Sequence, residues 1–405
     1  MESFKRSSYS FNVNNYSFSN SAGIVPRFPG HIAIILKLFA VFGIDIILPT
    51  KGKKSRIINK VSVIVYRCTM SLIMLYCLAA RLYKASQPHV PLMLAFSESV
   101  ATACSVVIRF TILLNKSSIV KIVRSLQKTE GTRTPSQIRQ EKALFRFGTG
   151  GVLFALCLSV TKAAFELRSA AGFQLYKKAY LFSPQMSNQT LIFTAPNVFV
   201  CTSHVFYIAN LYGVPGLSLM FCCVLCQNVT FFLRDSQTKV KECFESGEPQ
   251  KIWVRNIIFY LRKMRSLVNK TENALSPILF FLYGYLLCSL FYLVSLTIRT
   301  KRGLEDMKRI YIAASFLTLI SFYLLLSILV VRVYEAFAQT HNTVLQAIEK
   351  SPFYSADAAT LMIGVREFTR DTKITGWGVF VIDRSFLLTS VGMVITYGVI
   401  LAQFS

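Results

Sequence analysis

Apolar residues along this chain fall in long uncharged blocks rather than in a strand-like alternation. Three blocks are free of Asp, Glu, Lys and Arg altogether: 273–298, 310–331 and 385–405. About 20 such residues, wound as a helix, cross the roughly 30 Å hydrocarbon core of a bilayer. The pattern predicts seven crossings, at 61–81, 90–114, 144–167, 195–232, 274–298, 310–333 and 379–404. The fourth and sixth are expected to run on beyond the membrane. Between the blocks, 115–143, 234–273 and 334–378 are hydrophilic but hold few glycines or prolines, which predicts a helical layer on one side of the membrane. The expected fold class is an all-α membrane protein with seven transmembrane helices. It divides into an amino-terminal segment (1–60), a six-helix domain (61–333), a connecting segment (334–378) and a last helix (379–405).

Two weaker features bear on the topology. The first thirty residues, rich in Ser, Asn and aromatics, lack the basic start and apolar core of a signal peptide. Residues 31–50 are apolar apart from Lys37 and Asp45 and are bracketed by Pro26, Pro29 and Pro49, which predicts a short interfacial helix. Pro215 with Gly216 is a potential break in the fourth span.

Charge then sets the orientation. The net charge of +26 would suggest nucleic acid as the partner of a soluble protein. In a multispanning chain, basic residues instead gather in cytoplasmic loops and face anionic lipid, so no nucleic acid is expected. Residues 1–60 carry nine Lys and Arg, the second-to-third connection with Arg146 eight, and the fourth-to-fifth connection nine, against ten in the three opposite connections together. The amino terminus is therefore expected inside and the carboxyl terminus outside. On that topology the sequon at Asn188 faces the secretory lumen and is the expected glycosylation site, whereas those at Asn15, Asn115 and Asn269 stay bare.

No catalytic constellation is visible. The four histidines are scattered at 31, 89, 204 and 341, no nucleotide-binding loop occurs, and Cys222, Cys223 and Cys226 have no His or carboxylate beside them. The expectation is no enzyme, no cofactor and no metal. A seven-helix G-protein-coupled receptor shares the span count, but the orientation is inverted, and neither an Asp-Arg-Tyr nor an Asn-Pro-x-x-Tyr motif stands where that class carries it. A secondary transporter would show internal repeats, and none is evident.

The last span holds the most information. Thr389, Thr396 and Gln403 recur every seven residues and put three polar side chains on one stripe of an otherwise apolar helix. Polar groups facing lipid are costly. Periodicity leaves two readings open: a pore lined by hydroxyls and amides in a symmetric oligomer, or a polar contact between packed helices eased by Gly392 and Gly398.

Thr396-Tyr397, five residues, then Gln403-Phe404 resembles the carboxyl-terminal signature of arthropod gustatory receptors. Gly376-Trp377-Gly378-Val379-Phe380 and Asp383-Arg384-Ser385-Phe386-Leu387-Leu388 match the approach to it. The resemblance is concentrated in the last thirty residues, and the seven-span layout agrees with it. It implies a homotetrameric or heterotetrameric ligand-gated cation channel related to the insect odorant receptors, with a pore lined by the last helix, a pocket in the outer half of each subunit and a packed cytosolic anchor. On the matching positions Gln403 and Phe404 fall on the outer gate, with Ile400 one turn below. Residues 358–369 fit an anchor helix, and Gly376 and Gly378 a bend into the pore helix.

Polar and aromatic residues in the outer halves of the spans are the ligand-binding candidates: Glu98, Glu166, His204, Tyr207 and Tyr292. Lys162, four residues from Glu166, equally suits simple neutralisation, and a lone His204 suits packing. The expected ligand is a small tastant, either a sugar or a bitter compound, and the expected surroundings are membrane lipid and permeant cations.

Overall fold

The computed structural model describes residues 30–44, 46, 56–87, 92–127, 134–168, 170–181, 195–245, 250–299, 306–350, 365 and 374–403. Asn188 and Phe404, the Glu166 side chain and nearly all of the expected anchor helix lie outside the described residues. The described chain is helical: α1 Gly30–Val41, α2 Arg56–Ala85, α3 Leu92–Leu114, α4 Lys116–Gln127, α5 Pro135–Arg168, α6 Ala170–Leu181, α7 Ala195–Glu245, α8 Gln250–Arg299, α9 Asp306–Lys350 and α10 Arg384–Gln403. One small antiparallel hairpin, β1 Thr375–Gly376 and β2 Phe380–Val381, precedes α10. Six of the helices (α2, α3, α5, α7, α8 and α9) are long and apolar enough to cross a membrane, and α10 is a shorter apolar helix. The chain is a multi-pass membrane protein by this pattern.

Burial sorts the helices. In α7, 94% of the most apolar window is buried, against 17% in α2 and α5. A helix apolar all round belongs at the centre of a bundle, and α7 packs on α1, α2, α3, α5, α6, α8 and α9. Its Cys222, Cys223 and Cys226 are all buried there as small apolar side chains.

The helices differ from expectation at four points. First, α8 also projects beyond the apolar layer, as expected only of α7 and α9: α7 and α8 run for 51 and 50 residues, about 75 Å each, and take up most of the expected helical connection 234–273. The charged stretches are amphipathic, so Ile257, Leu261, Met264 and Val268 stay buried while Arg262 and Lys263 face outward. Secondly, α7 does not break at Pro215, which sits inside the continuous helix; packed neighbours support a proline in such a span.

Thirdly, α1 packs one face on the bundle while Ile34, Lys37 and Val41 stay exposed on the other. Ile32, Ile35 and Phe39 are fully buried, and at 12 residues, about 18 Å, the helix is too short to cross. It closes at Gly43, whose φ of +73° lets Gly43 N–H reach Ala40 O at 2.9 Å and Ile44 N–H reach Phe39 O at 2.8 Å. The buried Arg109 guanidinium donates to Phe42 O, and the Tyr66 hydroxyl to Val41 O, at the negative end of the helix dipole.

Fourthly, the last helix starts at Arg384, five residues later than expected, because 374–382 forms the hairpin rather than a simple bend. Trp377 and Gly378 both take left-handed φ, +50° and +72°. For tryptophan that conformation costs on the order of 1–2 kcal/mol, offset by a backbone bond from Trp377 N–H to Ser276 O at 3.1 Å and by ring contacts with Phe280 and Phe281. Glu272 on α8 accepts from Thr375 N–H at 2.9 Å and from the Thr375 hydroxyl, and Ser276 also reaches that hydroxyl at 3.1 Å. Gly376 is required because a Cβ would stand 2.3 Å from the Phe380 ring. Asp383 then caps α10 through Phe386 N–H at 2.8 Å.

Candidate functional site

Two adjoining features occupy the end of the bundle where α2 finishes and α3 begins. The first is a cleft among α3, α5, α7, α8 and α9, with about 890 Å³ of empty space counted out to its mouth. Pro215 and Gly216, the pair that looked like a helix break, form part of its wall. Glu98 and Tyr292 line the cleft together with Tyr212, Tyr285, Ser289 and Tyr311, and most of the remaining wall is leucine and alanine.

The second is a buried polar cluster behind Glu98. Arg81 donates from Nη1 to Glu98 Oε1 at 2.7 Å, Lys84 Nζ stands 3.8 Å from the other carboxylate oxygen, and Arg81 is only 5% exposed. The guanidinium lies over the Tyr207 ring at 4.1 Å and the Tyr176 ring at 5.0 Å, with Lys84 Nζ 4.7 Å from the Tyr176 ring centre. Cation–π contacts of this kind gain strength where water is excluded.

His204 is fully buried, its ring centre 4.3 Å from that of Tyr176. Its Nδ1 faces Arg81 Nη2 at 3.4 Å and the Tyr180 hydroxyl at 3.3 Å. A guanidinium only donates, so Nδ1 accepts and the ring carries its proton on Nε2. Burial pushes the Tyr180 phenol well above its ordinary value, which keeps that hydroxyl protonated as a second donor.

Of the five ligand-binding candidates, Glu98 and Tyr292 meet at the cleft. His204 and Tyr207 do not line it: they pack behind it, with the Tyr207 hydroxyl 2.9 Å from Thr102 Oγ1. Arg81 and Lys84 were passed over because they end a span and counted as loop charges. Their partners lie 14 to 123 residues away in sequence, so no local spacing marks them.

α10 makes the opposite kind of surface. It leans on α8, with Gly398 facing Val294. Buried Ser390 bonds to Tyr323, and Tyr397 packs on Phe291 with ring centres 5.1 Å apart. The other side is open: Thr389, Thr396 and Gln403 are all exposed, as are Met393 and Ile400 on the same stripe, and nothing approaches Gly392.

The profile of the family described as "7tm Chemosensory receptor" matches residues 32–405. The chain belongs to that family. The receptor fold is also similar to that of the insect olfactory receptor OR5 from Machilis hrabei. The structure of OR5 in complex with eugenol aligns with a TM-score of 0.66 at 15% identity, over 92% of this receptor and 98% of that chain. A second OR5 structure gives 0.62 at 16% identity over the same shares. Identities this low establish the shared fold. No curated protein matches the receptor by sequence.

Proposed function

We propose that this chemosensory receptor is a gustatory receptor working as a tastant-gated, non-selective cation channel in the plasma membrane of chemosensory neurons. The ligand occupies the cleft that holds Glu98 and Tyr292, and the last helix of four subunits surrounds a central pore. The supporting observation is the two-sidedness of α10: its stripe of Thr389, Thr396 and Gln403 turns away from its own subunit, while Ser390 on the other side is buried. Polar residues on a span need water or another protein surface, and four such stripes around an axis supply a hydrated path. Phe404 and Ile400 would exclude water from a closed mouth, and Gln403 amides would replace ion hydration in an open one. The carboxyl terminus then lies outside and the 1–60 segment inside, with Asn188 glycosylated.

The test is ionic current in cells expressing this chain during tastant application, with G-protein signalling blocked. Phe404→Ala should raise the resting current, and Gln403→Glu should shift reversal potentials toward divalent cations. If both variants reach the surface with wild-type rest current and ion preference, α10 does not line the pore. An Asn188→Gln chain of unchanged gel mobility would count against the orientation.

A further inference from the structure

α10 does not follow α9 along its whole length. At its foot the two are tied: Arg384 Nε donates to Glu335 Oε1 at 2.8 Å, and Ser390 bonds to Tyr323. Further on, α10 keeps to α8, and a groove opens between α10 and the start of α9. Val294 and Ile298 of α8, Ile312, Ala313 and Phe316 of α9 and Gly398 of α10 line it, around about 900 Å³ of space counted out to its open side. The groove is separate from the cleft. α8 and α9 turn Tyr292, Tyr311 and Ser315 toward the cleft and the residues between them toward the groove.

Two side chains with polar groups complete the wall. Thr297 donates its hydroxyl to Leu293 O at 2.8 Å within its own helix, so an apolar neighbour leaves that proton paired. Arg309 stands exposed in the first turn of α9, and a guanidinium only donates. The wall therefore suits a molecule with a long apolar part and an anionic head.

The charge of the neighbouring chain points the same way. Arg299, Lys301, Arg302, Lys308 and Arg309 crowd into eleven residues, half of the ten Lys and Arg in the connections opposite the amino terminus, with only Glu305 and Asp306 against them. Basic residues beside an apolar span are matched by lipid phosphate. A second copy of the chain fits less well, because the open face of α10 carries no Asp or Glu to meet Arg309.

We infer that the groove between α9 and α10 is a binding site for one phospholipid of the surrounding bilayer. An acyl chain lies along the apolar wall, against Gly398 of the last helix, and the phosphate pairs with the Arg309 guanidinium, whose planar fork matches two phosphate oxygens. The site does not depend on what fills the cleft.

The test uses the purified full chain in phosphatidylcholine nanodiscs carrying a small fraction of a phosphatidylglycerol with a diazirine on one acyl chain. Labelled positions are read by mass spectrometry, with Leu72 on the open face of α2 as the measure of ordinary lipid contact. A diacylglycerol with the same chain is the probe that lacks phosphate. Relative to Leu72, the phospholipid is expected to label Ile298, Ile312 and Phe316 about fivefold more than the diacylglycerol does, the factor that one basic residue contributes at a charged membrane surface. Arg309→Gln should remove that preference, and Arg309→Lys should keep most of it. Ala313→Trp and Thr297→Trp, two independent fillings of the groove, should abolish labelling there while Leu72 is labelled as before. The inference is overturned if the groove labels no more than Leu72, if the diacylglycerol labels as well as the phospholipid, or if the preference survives Arg309→Gln. Folded filled variants that keep their labelling overturn it too. An Ala313→Cys chain carrying a benzophenone maleimide gives the last arm: cross-linking from position 313 to lipid supports the site, and cross-linking to a second copy of the chain shows a neighbouring subunit seated there instead.

Discussion

The polar cluster behind Glu98 and the open stripe of α10 pose the same problem, polar side chains within membrane-spanning helices, and meet it in opposite ways. The cluster is assembled inside one subunit: Arg81, Lys84, Glu98, Tyr176, Tyr180, His204 and Tyr207 converge from α2, α3, α6 and α7 and supply each other with donors, acceptors and aromatic faces. Among the described residues the stripe meets no such partners, and Thr389, Thr396 and Gln403 stand exposed among Met393 and Ile400. The contrast teaches that burial within a subunit and exposure on it are both informative for a membrane protein. The first locates what the fold satisfies for itself, and the second locates what it leaves to other copies or to water.

Breaking the cluster should have the largest effect on the subunit. Arg81→Ala removes the cation nearest Glu98, and loss of one member of a buried pair costs about 3–5 kcal/mol. A marked drop in thermal stability and surface expression is expected, and Arg81→Met with Glu98→Leu should recover part of it. A single Arg81→Ala chain with wild-type stability would mean that the cluster is not self-supporting. Next comes the hairpin that leads into α10. Glu272→Gln replaces a carboxylate accepting two bonds from Thr375 and should cost about 1.5–3 kcal/mol. Hydrogen exchange over 374–382 should quicken while that of α7 does not.

The smallest effect on folding is expected on the open side. Ile395→Ser and Val399→Ser alter side chains that are 62% and 53% exposed, so single-subunit stability should move by no more than about 0.5 kcal/mol. Cross-linking in membranes should nevertheless show fewer tetramers. Normal assembly with lowered subunit stability would reverse the comparison.

Much of the architecture was legible because a membrane helix announces itself by the charges it lacks. The same criterion started α8 too late, since an amphipathic helix outside the apolar layer carries its charges on one face and continues regardless. Glu98 and Tyr292, which line the cleft, stood out in the sequence because a carboxylate and a phenol deep in apolar runs are conspicuous. Arg81 was not, because charge at the end of a span is ordinary and only the meeting with α3, α6 and α7 makes it otherwise. The 374–382 hairpin was read as a glycine bend: the sequence displays Gly376 and Gly378, but not the left-handed turn at Trp377 or the carboxylate of Glu272, 103 residues away, that holds it.

α8 carries both ends of that arrangement on one rod. Tyr285, Ser289 and Tyr292 face the cleft, and Glu272 and Ser276 hold the hairpin at the foot of α10. Between them stands Pro277, where the helix continues but one rung of its hydrogen-bond ladder is missing. A beam bends at its notch. Tilting the stretch from Pro277 to Tyr292, about 22 Å long, by about 10° displaces its end by about 4 Å. The swing is taken up at Pro277 itself, one residue from Ser276, on which the mounting of the last helix rests.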